Sequence, residues 1–168
     1  ALWPDRDETT VTNNLRVNLN HLIRLLEPSR AKDEPSYFVE TDRDTIRLRI
    51  EDGLEVDSMS FDREIDAALQ LDREGRTSQA LDGFEKAMST YRGDYFADSA
   101  NPDWGEIERT RLRSRFISAS VRAASLRVGK GDFPRALDHL SRALAFNDLH
   151  EPAYRLQGLT YLRSGDRT

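Results

Sequence analysis

Apolar residues near the start of this chain follow a helical period. Between positions 10 and 26 they recur every three or four residues, which is typical of one side of a helix. The stripe consists of Val11, Leu15, Leu19, Leu22 and Leu26. Pro28 follows the stripe and predicts the end of the helix.

Two short runs after this helix predict β-strands. Residues 37–41 and 45–50 contain β-branched and aromatic side chains, and the polar Asp42-Arg43-Asp44 between them suits a tight turn. We therefore predict a β-hairpin, followed by a linker from Gly53 to Ser60.

From Phe61 onward the pattern is helical throughout. The apolar spacing predicts helices at about 60–74, 77–91, 103–129, 133–147 and 150–164. We find no alternating apolar and polar run in this region, so no strand is expected there.

The helical region repeats a pattern of small and large residues. Gly75, Ala80, Phe84 and Ala87 are spaced 5, 4 and 3 apart, and the same spacing returns in Gly131, Ala136, Leu140 and Ala143. The step from Gly131 to Gly165 is 34 residues, the period of tetratricopeptide (TPR) arrays. We expect the Ala, Phe and Leu positions to be buried between helices, and the array to be cut just after Gly165, where a second helix of a repeat would start.

Composition narrows the class of function. The chain has 30 acidic and 25 basic residues and a formal net charge of −5, so any contact with DNA must come from a local patch. It has no cysteine, which excludes disulfides and cysteine-based zinc sites. Apolar runs are short and the first residues lack a signal-peptide layout, so we expect a cytoplasmic protein with no membrane partner.

Catalytic motifs are sparse in this sequence. The three histidines show no metal-ligand spacing: His21, His139 and His150. No Gly-rich phosphate loop occurs, and Glu106 and Glu108 point apart on their helix. The acids of the second helix are interpreted as solvated charges: Glu64, Asp66, Asp72 and Glu74. We expect no enzyme activity, no catalytic residues, no metal and no cofactor.

The side of the first helix opposite the leucine stripe has the composition of a DNA-reading surface. No acid occurs from Thr10 to Leu26, and this side carries Asn13, Arg16, Val17, Asn20, His21 and Arg24. Asn can bond adenine, Arg can bond guanine, and an apolar side chain can touch a thymine methyl. Arg24, Arg30 and Lys32 can reach phosphates. The alternative is an ordinary amphipathic helix whose wet side is rich in asparagine.

The hairpin carries a second group of cations. Arg43 lies at its predicted tip, and Arg47 and Arg49 lie on its second strand. A helix followed by a hairpin is the order of a recognition helix and its wing, so these arginines would suit contacts with the DNA backbone or minor groove. The alternative is a solvated edge strand that its charges protect from aggregation.

Two segments carry a resemblance to known regulators. Leu2-Trp3-Pro4-Asp5 and the run from Asn14-Leu15-Arg16 to Leu26-Glu27-Pro28 resemble the end of the winged-helix domain of OmpR-type regulators, and more narrowly of antibiotic-pathway (SARP-type) activators. The block from Tyr91-Arg92-Gly93-Asp94 to Arg111-Leu112 looks like the core of the bacterial transcriptional activator domain. Gly131-Asp132-Phe133 and the following Ala/Leu spacing fit the same domain.

The block at 91–112 also has a structural interpretation. Gly93 can supply a positive φ after its helix, and aromatic side chains can lock the long loop onto the helices. The aromatic residues in question are Tyr95, Phe96 and Trp104.

The resemblance implies a two-part organisation. We expect a mainly α fold, a TPR-like helical array at 58–168 preceded by a partial winged-helix unit at 1–52, the latter a recognition helix plus a β-hairpin wing. The family pattern further implies that the N-terminal strands and the first helices of the winged unit are missing. Leu15, Leu19 and Leu22 would then lack packing partners.

The function implied by the resemblance is that of a DNA-binding transcription regulator. Its expected partners are promoter DNA and a protein, either a second protomer or the transcription machinery. The expected DNA-binding residues are Asn13, Arg16, Val17, Asn20, Arg24, Arg30, Arg43 and Arg47. The alternative is a helical adaptor or signalling scaffold with no DNA-reading role, which should show an apolar or charged groove inside the array.

Overall fold

The computed structural model describes residues 7–43, 45–50, 53–98 and 102–165. Its secondary structure is mainly helical, with one small hairpin. Residues 1–56 and 57–168 form two compact units, which are described separately below. The segment Leu2-Trp3-Pro4-Asp5, Asp44 in the hairpin turn and the side chain of Trp104 lie outside the described parts.

The first unit begins with helix α1, Glu8–Leu26. Asp7 caps it, because its carboxylate accepts hydrogen bonds from the Thr10 amide (3.0 Å) and the Thr10 hydroxyl (2.6 Å). Glu8 in the first turn and Arg24 in the last turn both suit the helix dipole.

The predicted hairpin is present. Strands β1 (Val39–Thr41) and β2 (Ile46–Leu48) pair antiparallel, with Val39 opposite Leu48 and Thr41 opposite Ile46. The Asp42 amide donates to the Thr45 carbonyl (2.9 Å) at the turn. Val39 is buried, whereas β2 is exposed along its whole length.

The described part of the second unit is an array of five α-helices. They are α2 (Asp57–Arg73), α3 (Thr77–Thr90), α4 (Glu106–Gly129), α5 (Phe133–Phe146) and α6 (Glu151–Ser164), with a short 3-10 turn at Pro102–Gly105 before α4. Each packs against its neighbour along the chain. The predicted linker was therefore too long, since residues 57–60 already belong to α2 and Ser60 is buried.

The repeat register predicted from the sequence is confirmed. Gly75, Gly131 and Gly165 all have φ between +74° and +80°, and each follows the last turn of a helix, where a left-handed conformation favours glycine. The other six repeat positions are fully buried: Ala80, Phe84, Ala87, Ala136, Leu140 and Ala143.

Two groups of buried side chains form the core of the array. The larger joins α2, α3 and α4 through Phe61, Ile65, Ala68, Ala80, Leu81, Phe84, Ala87, Met88, Leu112, Phe116, Ala119 and Ala123. The smaller joins α4, α5 and α6 through Ala124, Val128, Ala136, Leu140 and Ala153. Alanines at these contacts let the helix axes approach closely.

Ion pairs reinforce the packing of α2 against α4. Arg122 holds Asp72 through two hydrogen bonds of 2.6 and 2.8 Å, and Arg115 binds Asp66 at 2.6 Å. The side chain of Asp72 is only 10% exposed, so its interpretation as a solvated charge was wrong. Hydrogen bonding to Arg122 lowers the pKa of Asp72.

Candidate nucleic-acid interface

The exposed side of α1 carries the residues that the sequence predicts as DNA readers. Asn13, Arg16, Asn20 and Arg24 are exposed, and Val17 is 54% exposed. Within the described residues, the side chains of these four polar residues make no hydrogen bond or ion pair. Their donors and acceptors are therefore available to a ligand.

After Glu8 in its first turn, α1 carries no acidic residue. The next acid along the chain is Glu27, which directly follows the helix. The polar residues of the predicted reading side are therefore amides, arginines and a histidine. Arg16 and Arg24 lie about 12 Å apart along the axis, from a rise of about 1.5 Å per residue. The local patch is basic although the whole chain is acidic.

The leucine stripe of α1 is only partly covered. Leu15 and Leu22 are 37% and 42% exposed, and Val11, Leu19 and Leu26 are half-buried. The single buried residue of α1 is Ile23, which lies outside the predicted stripe. Leu15 and Leu22 therefore lack a full set of packing partners among the described residues, as predicted for them.

The arginines of the hairpin are not equivalent. Arg43 at the turn and Arg47 on β2 are exposed, and neither side chain has a hydrogen-bond or ion-pair partner in the described part of the unit. Arg47 lies opposite Glu40 in the ladder, while Arg49 approaches Glu40 at 3.6 Å. Glu40 therefore offsets part of the positive charge of this surface.

Arg30 differs from the other predicted DNA contacts. Its side chain is 20% exposed, its Nε lies 3.6 Å from Glu27 Oε2, and its Nη1 donates to the carbonyl of Glu34. These contacts hold the turn after α1, so Arg30 already has a role within the unit.

Glu27 is a functional candidate that sequence reasoning missed. Its Oε1 accepts hydrogen bonds from the Phe38 amide (2.9 Å) and the Ser36 hydroxyl, and its side chain is only 9% exposed. The hydrogen bond from Phe38 is the main cause of the lowered pKa of this carboxyl. The only signal in the sequence was its position beside Pro28 at the end of the helix.

Specific contacts within the second unit hold the start of the block at 91–112. Arg113 Nε donates to Asp94 Oδ1 (3.0 Å), and the Tyr91 hydroxyl lies 3.1 Å from the same oxygen. Arg109 Nε donates to the carbonyl of Tyr95 (2.9 Å) and its Nη2 to that of Phe96 (3.4 Å). Side chains of α4 therefore hold the loop at residues 94–96.

Two details of the loop differ from expectation. Gly93 is not among the positive-φ residues, whereas Phe96 has a φ of 51°. Arg109 binds the carbonyls of Tyr95 and Phe96, on either side of the Phe96 Cα. These bonds hold Phe96 in a left-handed conformation that costs about 1 kcal/mol or more outside glycine. Tyr95 packs on the core, while Phe96 remains 48% exposed and meets Tyr95 edge-on at 4.6 Å between ring centroids.

The helical array contains a shallow apolar groove between α2 and α4. Its volume is about 230 Å³, and it is lined by Ile65, Leu69, Ser114, Arg115, Ser118 and Ala119. Among the described residues, no group of three or more His, Cys, Asp or Glu side chains could hold a metal ion. None of the described helices is long and apolar enough to cross a bilayer.

The fold places the chain in the class of proteins built on an array of paired α-helices, here preceded by a helix and a hairpin. The family model of the bacterial transcriptional activator domain matches residues 56–168, about two thirds of the chain. The chain therefore belongs to the bacterial transcriptional activator domain family, a family of transcription regulators. No curated protein matches it.

Proposed function

We propose that this chain is part of a DNA-binding transcription regulator that works in the cytoplasm on promoter DNA. Helix α1 would lie in the major groove as the recognition helix, and the β1–β2 hairpin would be the wing of a partial winged-helix unit. The TPR-like array would bind a protein, either a second protomer or the transcription machinery. Membership of the activator family supports the regulatory part of this proposal.

The observation that carries the DNA-binding part is the exposed side of α1. A surface helix with no acid over seventeen positions, 10–26, does not repel phosphates. Among the described residues, the side chains of Asn13, Arg16, Asn20 and Arg24 have no hydrogen-bond or ion-pair partner. Asn13 and Asn20 would read adenine edges, Arg16 and Arg24 guanine edges or phosphates, and Val17 a thymine methyl.

The hairpin and the following turn would bind the DNA backbone. Arg43 and Arg47 are exposed and can reach phosphates beside the groove that α1 occupies. Arg30 would add a phosphate contact through the guanidinium edge that Glu27 and Glu34 leave open. These contacts would position the unit without reading the sequence.

The experiment that tests DNA binding is selection of duplexes from fragmented bacterial genomic DNA. It should use the full-length natural protein that contains these residues, beside the same protein with both Arg16→Ala and Arg24→Ala. We expect the parent to enrich a small set of fragments and the double variant to lose the enrichment. Equal enrichment by both proteins, or none by the parent, would argue against α1 as the reader.

A helical adaptor remains a second candidate because of the groove between α2 and α4. Its apolar floor of Ile65, Leu69 and Ala119 could hold an apolar side chain of a partner. Ser118→Trp would fill the groove, since Ser118 is exposed and lies at its edge. An adaptor without a DNA-reading role would lose its protein partner in this variant and would show no selected duplex in the parent.

A further inference from the structure

The turn between α1 and the hairpin contains a partly buried network of hydrogen bonds. Glu27, directly after α1, accepts the Phe38 amide at 2.9 Å, eleven residues further along the chain. The Ser36 hydroxyl donates to the same oxygen and accepts the Val39 amide at 3.0 Å. One carboxylate thus connects the end of the helix to the residue before β1 and, through Ser36, to its first residue.

The other oxygen of Glu27 faces a cation. Arg30 Nε lies 3.6 Å from Oε2, and the Arg30 guanidinium also donates to the Glu34 carbonyl. The turn from 27 to 39 is therefore organised around a single side chain, of which 9% is exposed. Buried Ile23 and Val39 flank this network on α1 and β1.

The network matters for recognition because the two DNA-contacting elements belong to different secondary structures. A helix in the groove and a hairpin on the flanking backbone read one site only if their separation is fixed. The hairpin itself has few other anchors, since only Val39 of its two strands is buried.

We propose that Glu27 is a positioning residue that fixes the hairpin to the end of α1, so that both elements meet DNA in one arrangement. This inference rests on the proposed DNA-binding function. Glu27 touches no DNA in this role, since its oxygens are occupied by Phe38, Ser36 and Arg30. It sets which phosphates the hairpin reaches for a given register of α1.

Three variants of the whole chain separate the contributions of the Glu27 oxygens, the Glu27 charge and the Ser36 hydroxyl to this network. Glu27→Ala removes both oxygens, and Glu27→Gln keeps one acceptor for Phe38 but removes the charge that faces Arg30. Ser36→Ala removes only the hydroxyl. Asp33→Asn is the matched control, because it likewise turns a carboxylate of the same turn into an amide, but Asp33 is exposed.

The first measurement is amide hydrogen exchange at Phe38 and Val39, which needs no DNA. We expect roughly threefold to tenfold faster exchange in Glu27→Ala, a smaller increase in Glu27→Gln, and no change in Asp33→Asn. Ser36→Ala should accelerate amide exchange at Val39 more than at Phe38. This variant keeps the test decisive if Glu27→Ala fails to fold. Unchanged exchange in both Glu27→Gln and Ser36→Ala would overturn the network.

The second measurement is hydroxyl-radical footprinting on the selected duplex, with the salt dependence of binding, in the full-length protein. Glu27→Ala should keep the central protection by α1, lose protection at the flanking phosphates, and lower the salt slope by about one unit per lost contact. If Glu27→Ala keeps the footprint and the salt slope of the parent, the positioning role is overturned. A parent that binds no duplex would overturn the proposed function and this role with it, while exchange would still report the network separately.

Discussion

At the scale of single residues, a side chain of α1 can bind a ligand only if it is exposed and has no hydrogen-bond partner within the protein. Asn18 already donates through Nδ2 to the Asn14 carbonyl at 2.8 Å, whereas Asn20 makes no such bond among the described residues. The two amides are about 160° apart around the helix, from about 100° per residue. They form a natural pair for testing which side of α1 reads DNA.

Asn20→Ala should relax sequence preference at one base pair, because an amide can bond an adenine edge at two points. The expected loss of discrimination is about 1–3 kcal/mol at that position. The salt slope should stay constant, since a neutral amide releases no counterion. Fluorescence anisotropy with specific and singly altered duplexes measures this, and Asn18→Ala on the other side should behave as the parent.

Arg24→Ala distinguishes two contacts for the same side chain. A guanidinium on a phosphate would weaken all duplexes alike and lower the salt slope by about one unit, whereas one on guanine would weaken mainly the specific duplex. We expect one of these two results from anisotropy titrations at several salt concentrations. Binding as tight and as selective as that of the parent would remove Arg24 from the interface.

At the scale of elements, close approach of neighbouring helices depends on residues without bulk. A Cβ added to Gly83 on α3 would lie 3.0 Å from the Ala68 Cβ on α2, whereas one added to Gly158 on α6 would meet no atom within 4 Å. Both glycines are inside helices, where alanine is favoured by about 1 kcal/mol. The two sites therefore differ only in the space around them.

Gly158→Ala should raise the free energy of unfolding by about 0.5–1 kcal/mol through helix propensity alone. Gly83→Ala should lower it, because the contact with Ala68 forces α2 and α3 apart and outweighs the propensity gain. Urea unfolding followed by circular dichroism measures both. A gain in both variants would mean that the α2–α3 contact is looser than described.

The repeat register leads to a second prediction for these elements. Ala136→Leu should lower the free energy of unfolding by about 1–3 kcal/mol, because Ala136 is fully buried between α4 and α5 and has no room for three more carbons. Ala145→Leu on the exposed side of the same helix is the control and should change little. Equal melting temperatures for the two variants would contradict the register.

At the scale of the whole molecule, the described part of the array contains a buried histidine on α5, near charged residues of α3 and α4. His139 on α5 is 4% exposed, and neither ring nitrogen has a hydrogen-bond partner in the described residues. Glu85 Oε1 on α3 lies 4.0 Å from Nε2, but Arg127 on α4 already binds that carboxylate. Arg142 and Asp138 are the other charges that influence the ring.

Burial lowers the pKa of His139 below its ordinary value near 6.5, so the folded array favours the neutral ring. Between the two pKa values the unfolded chain binds more protons than the folded chain. The contribution of His139 to the free energy of unfolding is therefore fully present above about pH 6.5 and is lost as the pH falls below that value. We expect the unfolding free energy of the parent to fall from pH 7.5 to 5.5 more steeply than that of His139→Gln. Parallel curves, measured by urea unfolding at each pH, would refute this.

The sequence determined the helices, their register and the hairpin, because these follow from local period and turn chemistry. Ala80 and Ala136 lie where the small-residue pattern predicts them, and Gly75, Gly131 and Gly165 end helices with positive φ. An apolar position repeated every three or four residues must face one side of a helix, whatever that side meets.

Only the tertiary structure decided which polar groups find partners far along the chain. Asp72 binds Arg122 fifty residues later, Glu27 binds the Phe38 amide, and Phe96 rather than Gly93 has the positive φ that Arg109 supports. The rotation of one helix against another and the path of each loop set these distances. Neither leaves a periodic signal in the sequence, so charges that looked solvated became part of the packing.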